Sequence, residues 1–412
     1  MKIDFKKNVL KLLTGISIAQ IIPIIFTPIL TQYFSPDEFG IYGLYISVCS
    51  ILGIVASFKY DVAIMLPKRN SDAMNILILC FFFTFIFSII FFSILNISID
   101  LFQENETIKS IKKYYFILPL SVFLISINQS ILVWLNRQKK YIIIANQNVL
   151  KSSSNSFSAL LFGVKNISSG LVLGHVISLM VISVWNIKNL FLDFKINLID
   201  QNLMKKNFKK YIDFLKFSTP SNLFNSFSNI GMTTIIIIFF GPEIAGLYFL
   251  AEKIIVLPIS LITSSISQVY FEKASKLFYS DKYELLKLTN RIQKNIFFIL
   301  FPFLILISLF GKNLFSLLGE EWMGAGVMLK YFSIYILLKN IYSPVSHIGD
   351  ILNKQKTLLK FNISLFLFQL CSFYFLKEYN DIKIPLLTAS FFGAIHYLFL
   401  NNYMKKELIK KL

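Results

Sequence analysis

The sequence predicts an all-α integral membrane protein, with about twelve transmembrane helices in two six-helix lobes related by pseudo-twofold symmetry. Three observations predict it. The chain is 55% apolar, only 15% charged, and has a mean hydropathy of +0.65. A soluble domain carries about 25% charged residues, and so few charges could not cover the surface of a 412-residue soluble fold. The apolar residues fall in runs long enough to cross a bilayer, which takes about 20 residues of helix. Finally, the stretch Tyr33-Phe34-Ser35-Pro36-Asp37-Glu38-Phe39-Gly40-Ile41-Tyr42 returns as Phe239-Phe240-Gly241-Pro242-Glu243-Ile244-Ala245-Gly246-Leu247-Tyr248. From residue 33 to residue 239 is 206 positions, half of the chain, and a repeat at that period predicts a duplication.

The first run, 12–34, follows Lys2, Lys6, Lys7 and Lys11 and has no small-residue cleavage site, so it reads as a retained span rather than a leader. Pro23 and Pro28 are expected to bend it. The second run, 37–66, starts at a capping box, Ser35 to Glu38, with Pro36 at the first helical position. Runs 74–99, 114–136, 141–164 and 167–191 complete the first six. Residues 192–211 form a linker, which gives lobes at 1–191 and 212–412. The second six are 212–240, 243–271, 294–318, 323–348, 358–377 and 383–404. Pro220 is expected to kink the first of these, and Gly241 and Pro242 to start the second. Residues 272–293 mix lysines with leucines and are expected to form an interfacial amphipathic helix. Six spans per half is an even number, so both halves enter from one side and the repeat is parallel.

The basic residues orient this layout. With the N-terminus inside, 29 of the 41 Lys and Arg fall in cytoplasmic segments, 7 in external ones and 5 within spans. That bias predicts both termini in the cytoplasm, and the high content of Lys, Asn, Ile and Phe suggests the AT-rich genome of a bacterium. The bias also accounts for the net charge of +19 as topology plus contact with anionic lipid. Nucleic acid is not expected as a partner, because the positions of the basic residues follow the sidedness of the spans.

Two spans are far more polar than the rest. In 141–164, Gln147, Lys151, Ser154 and Ser158 share a helical face; in 212–240, Asn222, Asn225 and Asn229 do so with Ser218 and Ser221. Single Ser or Asn residues can join membrane helices, but faces this long point to a water-filled cavity. Five lysines lie inside spans: Lys59, Lys151, Lys253, Lys330 and Lys339. Even lenient scales put a charge at the bilayer centre at about 2.5–3.5 kcal/mol. The lysines are therefore expected to line the cavity and to draw in an anionic substrate. Only Asp61 and Glu252 stand against them, and these are the candidate sites for ion coupling.

The sequence holds no nucleophile elbow, phosphate-binding glycine loop or metal-ligand spacing, so neither enzyme chemistry nor a metal or other cofactor is expected. Cys49, Cys80 and Cys371 lie singly in apolar runs and read as small core residues, and His175 and His396 as hydrogen-bonded core histidines.

The run Leu13-Thr14-Gly15, Ala19-Gln20, Pro23, Pro28-Ile29-Leu30-Thr31 and Ser35-Pro36-Asp37-Glu38-Phe39-Gly40 resembles the start of the Wzx-type polysaccharide repeat-unit (O-antigen) flippases. So does Lys59-Tyr60-Asp61-Val62-Ala63-Ile64-Met65-Leu66-Pro67. These belong to the multidrug/oligosaccharidyl-lipid/polysaccharide (MOP) exporter superfamily, which also holds the MATE transporters. The resemblance is specific over about residues 10–75 and rests elsewhere on span number and duplication. It implies twelve helices in two lobes around a central cavity, and alternating access. The implied substrate is an undecaprenyl-diphosphate-linked oligosaccharide, used in O-antigen or capsule synthesis. Coupling to a Na+ or H+ gradient and contact with polysaccharide polymerase machinery are expected with it. The alternatives are a small-molecule exporter of the same superfamily, or a membrane glycosyltransferase or polysaccharide polymerase. The former should bury more acids than lysines, and the latter needs a sizeable extramembrane segment.

Overall fold

The computed structural model describes residues 2–101, 112–192, 199–346, 348–352, 354–379 and 381–410. Most of the expected external segment 100–113, and residues 193–198 of the linker, lie outside them. The described residues form helices and turns: α1 (Lys2–Leu30), α2 (Pro36–Val55), α3 (Tyr60–Ala63), α4 (Asn70–Leu101), α5 (Ile117–Arg137), α6 (Tyr141–Val164), α7 (Gly170–Phe191), α8 (Gln201–Lys210) and α9 (Thr219–Ile230). There follow α10 (Met232–Ser280), α11 (Lys282–Ser316), α12 (Met323–Tyr342), α13 (Ile348–Ile351), α14 (Gln355–Leu376) and α15 (Lys383–Ile409). A membrane span must satisfy its backbone internally, and helices do so within one segment. Eight of these helices are long and apolar enough to cross a membrane, and Thr14–Leu30 of α1 is a shorter apolar stretch. The fold is a multi-pass all-α membrane fold.

Contacts divide the chain into two compact units. The first takes 1–34 and 41–234; the second takes 35–40 and 235–412. In the first, small polar side chains join helices. Thr84 pairs with Ser126 at 2.8 Å and Tyr45 with Ser121 at 2.6 Å. Asn128 Nδ2 donates to Ser183 Oγ at 2.8 Å, and Asn186 Nδ2 donates to Asn128 Oδ1 at 2.7 Å. In the second, Ser308 meets Ser333 at 2.7 Å and Gln293 Nε2 donates to Asn401 Oδ1 at 2.8 Å. Lys354 Nζ lies 2.6 Å from Glu407 Oε2, and that bond holds the ammonium above its ordinary pKa.

Three features differ from the sequence reading. The expected span 37–66 is broken: α2 stops at Val55, and Phe58 and Lys59 both sit in the left-handed region, at φ 48° and 59°. No glycine permits this. Arg137 holds the far side of the break, with Nη1 donating to the carbonyls of Ile64 (3.1 Å) and Met65 (3.3 Å) while Nε and Nη2 hold Asn70 Oδ1. Pro220 does not kink a helix; it lies in the first turn of α9, after a π-helical turn at Phe214–Ser218. The stretch 212–240 is thus a π-turn, α9 and the head of α10. Residues 272–293 form no separate interfacial helix. They end α10 and begin α11, with Asp281 capping the corner through a 2.9 Å bond from Glu284 N. Within α10 the backbone departs from helix at Gly241 (φ 84°, ψ 174°), where the sequence reading starts a new helix.

Candidate functional site

In the first unit the α1–α6 contact builds a cavity. The two helices touch at Gly15, where an added Cβ would stand 2.5 Å from the Ala145 Cβ. One turn further on, Ser152 Oγ donates to the Ala19 carbonyl. Small residues allow this approach. Beyond it opens a cavity of about 410 Å³ lined by Ile16, Ala19, Gln20, Asn148, Lys151, Ser152 and Asn155. Lys151 sits near the middle of α6 and is solvent-exposed there. Asn155 Oδ1 has no hydrogen-bond partner. One ammonium, three amides and a hydroxyl therefore face a single space. That set offers charge to an anion and both donors and acceptors to hydroxyl groups.

The first unit also holds a buried polar chain. His175 Nδ1 lies 3.4 Å from the Tyr45 hydroxyl, which is 2.6 Å from Ser121 Oγ. His175 is thus a hydrogen-bonded histidine packed edge-on to Tyr42 and Tyr45.

The other expected residues lie elsewhere. Gln147 is buried with Oε1 unpartnered, and does not line the cavity. Ser154 Oγ donates back to Leu150 O of its own helix at 2.6 Å; Ser158 is half-buried, and neither serine lines the cavity. Asn222 Nδ2 donates to Ser218 O at 2.8 Å on α9, Asn225 is exposed, and the side chain of Asn229 lies outside the described residues. Lys59 and Asp61 meet at the broken span: Nζ is 4.0 Å from Oδ2, and Ser57 Oγ donates to Oδ1 at 3.1 Å. Asp61 is 2% exposed.

In the second unit Glu252 lies on α10 and Lys339 on α12. Lys339 Nζ stands 5.5 Å from the Tyr335 ring centroid, and Tyr335 lies 6.0 Å from Tyr397. Lys253 stands over Phe249 at 5.9 Å, and Lys330 is exposed. Glu252 and Lys253, adjacent on α10, point to different sides of the helix. Among the described residues there is no group of three or more His, Cys, Asp or Glu that could hold a metal ion.

The sequence reading passed over Gln20, Asn148, Ser152 and Asn155. The α6 residues were visible as polar, and 148, 151, 152 and 155 are as good a helical face as 147, 151, 154 and 158. Both faces contain Lys151, and only the position of α1 decides between them.

Comparison with known proteins places the fold. The backbone is similar to that of the lipid II flippase MurJ in an inward closed conformation, with a TM-score of 0.71, 15% identity, and 95% of this chain and 88% of that one covered. It is similar to a MOP superfamily transporter from Pyrococcus furiosus, described as having a binding pocket of reverse polarity (TM-score 0.66, 14% identity, 98% and 96% covered). An outward-facing MATE multidrug transporter matches at a TM-score of 0.63 with 14% identity, over 98% and 97% of the chains. No curated protein sequence matches the chain. Residues 29–326 match the family described as polysaccharide biosynthesis protein, which is most of the chain. The chain has the fold of MOP superfamily transporters and belongs to the polysaccharide biosynthesis protein family.

Proposed function

We propose that the protein is a flippase of undecaprenyl-diphosphate-linked oligosaccharide repeat units, working by alternating access in the bacterial cytoplasmic membrane, with both termini cytoplasmic. The lobes are 1–191 and 212–412, joined by 192–211. The observation that carries the reading is Lys151 in a polar cavity near the middle of α6, a 24-residue helix. An ammonium there is costly in hydrocarbon and favourable beside a diphosphate, to which it donates charge-assisted hydrogen bonds. Gln20, Asn148, Ser152 and Asn155 offer the donors and acceptors that sugar hydroxyls need. The family and the fold support the reading. Transport draws on a Na+ or H+ gradient, with Asp61 or Glu252 as the coupling group, and product passes to polymerase machinery. Lys253, Lys339, Lys59 and Lys330 are secondary sites of contact with the anion.

The test is reconstitution in proteoliposomes with a labelled polyprenyl-diphosphate oligosaccharide, scoring leaflet transfer. Lys151→Gln removes a hydrogen bond to a charged group, worth about 1.5–3 kcal/mol, so transfer should fall roughly tenfold to a hundredfold. Lys151→Arg should keep most of it. Unchanged transfer in Lys151→Gln would remove the cationic-cavity reading. Transfer of a small cationic drug in place of the lipid-linked sugar would favour the exporter alternative.

A further inference from the structure

The short helix α8, Gln201–Lys210, has a side that the proposed function leaves unused. Its apolar side is seated on the first unit. Phe208 stacks on Tyr60 (6.0 Å, 13°), and the Tyr60 hydroxyl donates to the Phe208 carbonyl at 2.9 Å. Asp200 caps its first turn, accepting from Asn202 N at 2.7 Å, and Asp200 N donates to Asn75 Oδ1 at 2.9 Å. The helix is therefore fixed against the head of α4.

The other side carries Lys205, Lys206, Lys209 and Lys210, all exposed. None has an ion pair among the described residues, although Lys210 Nζ stands 5.0 Å from the Tyr211 ring. Lys205 with Lys209, and Lys206 with Lys210, are like charges four apart, a spacing that destabilises a helix. A ten-residue helix has little intrinsic stability to oppose this. Packing through Phe208 holds the quartet together, and an external anion would relieve it.

The surroundings indicate which anion. Met65 and Leu66 are 46% and 54% exposed at the end of α3, and Phe217 is 63% exposed in the π-turn after α8. Lys68, Arg69 and Lys216 are exposed beside them. Exposed apolar side chains interleaved with basic ones at span ends are suited to the headgroup layer of a bilayer, not to a soluble partner.

We propose that the lysine face of α8 is a binding site for anionic phospholipid headgroups, which anchors the linker on the bilayer surface while Phe208 ties it to the broken second span. The site is independent of what the chain transports. The test uses the full chain in phosphatidylcholine nanodiscs doped with phosphatidylglycerol, followed by native mass spectrometry of retained lipid. Replacing Lys205, Lys206, Lys209 and Lys210 by Gln should lower phosphatidylglycerol retention at least about tenfold, and replacing them by Arg should preserve it. A control removes the same charge elsewhere, by Lys273→Gln, Lys282→Gln, Lys287→Gln and Arg291→Gln, and should keep wild-type retention. Equal loss in both quartets would mean a net-charge effect and overturn the site, as would wild-type retention in the α8 variant. Displacement of the lipid by inorganic phosphate, at an ionic strength where chloride leaves it bound, would show a free-anion site and also overturn it. If the quartet lowers the melting temperature, the pair Lys205→Gln and Lys209→Gln is read instead, with a partial loss expected and no loss overturning the proposal.

Discussion

The two copies of the repeated turn, at 33–42 and 239–248, start their helices by different means. In the first, the chain leaves α1 at Leu30, turns, and restarts at Pro36 on a capping box: Ser35 N donates to Glu38 Oε2 at 2.8 Å, and Glu38 N donates to Ser35 Oγ at 3.4 Å. In the second, helix runs into helix with one irregular residue, Gly241 at φ 84° and ψ 174°. Side chains turn the first copy and backbone freedom turns the second. What the copies share is a later glycine. Residues 35–40 cluster with the second unit, and there Gly40 and Gly246 make a reciprocal crossing. A Cβ on Gly40 would stand 1.9 Å from Pro242 O, and one on Gly246 would stand 1.8 Å from Pro36 O. The repeat thus preserves a backbone-to-backbone contact, while the chemistry of the turn itself has diverged.

The largest expected effect follows from that crossing. Gly40→Ala or Gly246→Ala puts a methyl against a carbonyl oxygen that belongs to helix backbone and cannot swing aside. Each should cost about 3 kcal/mol or more, at the top of the overpacking range. Melting in detergent and yield of folded protein are the readouts. Because the crossing is reciprocal and both replacements push the same two segments apart, the double variant should cost less than the sum of the singles. Two variants as stable as the wild type would show that the repeat shares only its turn grammar.

An intermediate effect separates conformation from space. At Gly241 an added Cβ meets nothing within 4 Å, yet the dihedrals lie in a region that is essentially glycine's alone. Gly241→Ala should therefore cost about 1–3 kcal/mol through backbone strain and nothing through clash. Melting of Gly241→Ala against Gly241→Ser checks this: the two should lose similar stability, since side-chain size has no neighbour to strike. A marked further loss with Ser would place atoms where the structure has open space.

The same contrast explains what the sequence could disclose. Long apolar runs were readable because hydrocarbon leaves the backbone no partner but its own helix. Lys151 was readable because a charge in such a run is conspicuous. The cavity's other walls were not: Gln20 lies on α1, 131 positions from Lys151, and α6 offers two polar faces through Lys151, between which only its neighbour decides. The break at Phe58 and Lys59 was hidden for a related reason. No glycine or proline marks it, and what holds it is Arg137, a residue on α5.

The smallest expected effect lies in the first turn's own chemistry. Ser35→Ala removes the acceptor for Glu38 N but leaves Pro36 at the start of α2, with its φ already set for a helix. The lost cap should cost about 1 kcal/mol. Glu38→Gln keeps an oxygen for Ser35 N and should cost less, because only the charge next to the helix start is removed. Melting of Ser35→Ala, Glu38→Gln and the double variant measures the box as a unit. A coupling near zero would mean that Pro36 and the Gly40 crossing set the turn alone. A measurable coupling would mean that the first copy relies on side-chain capping where the second relies on a glycine, and Gly241→Ala should then remain the costlier of the two changes.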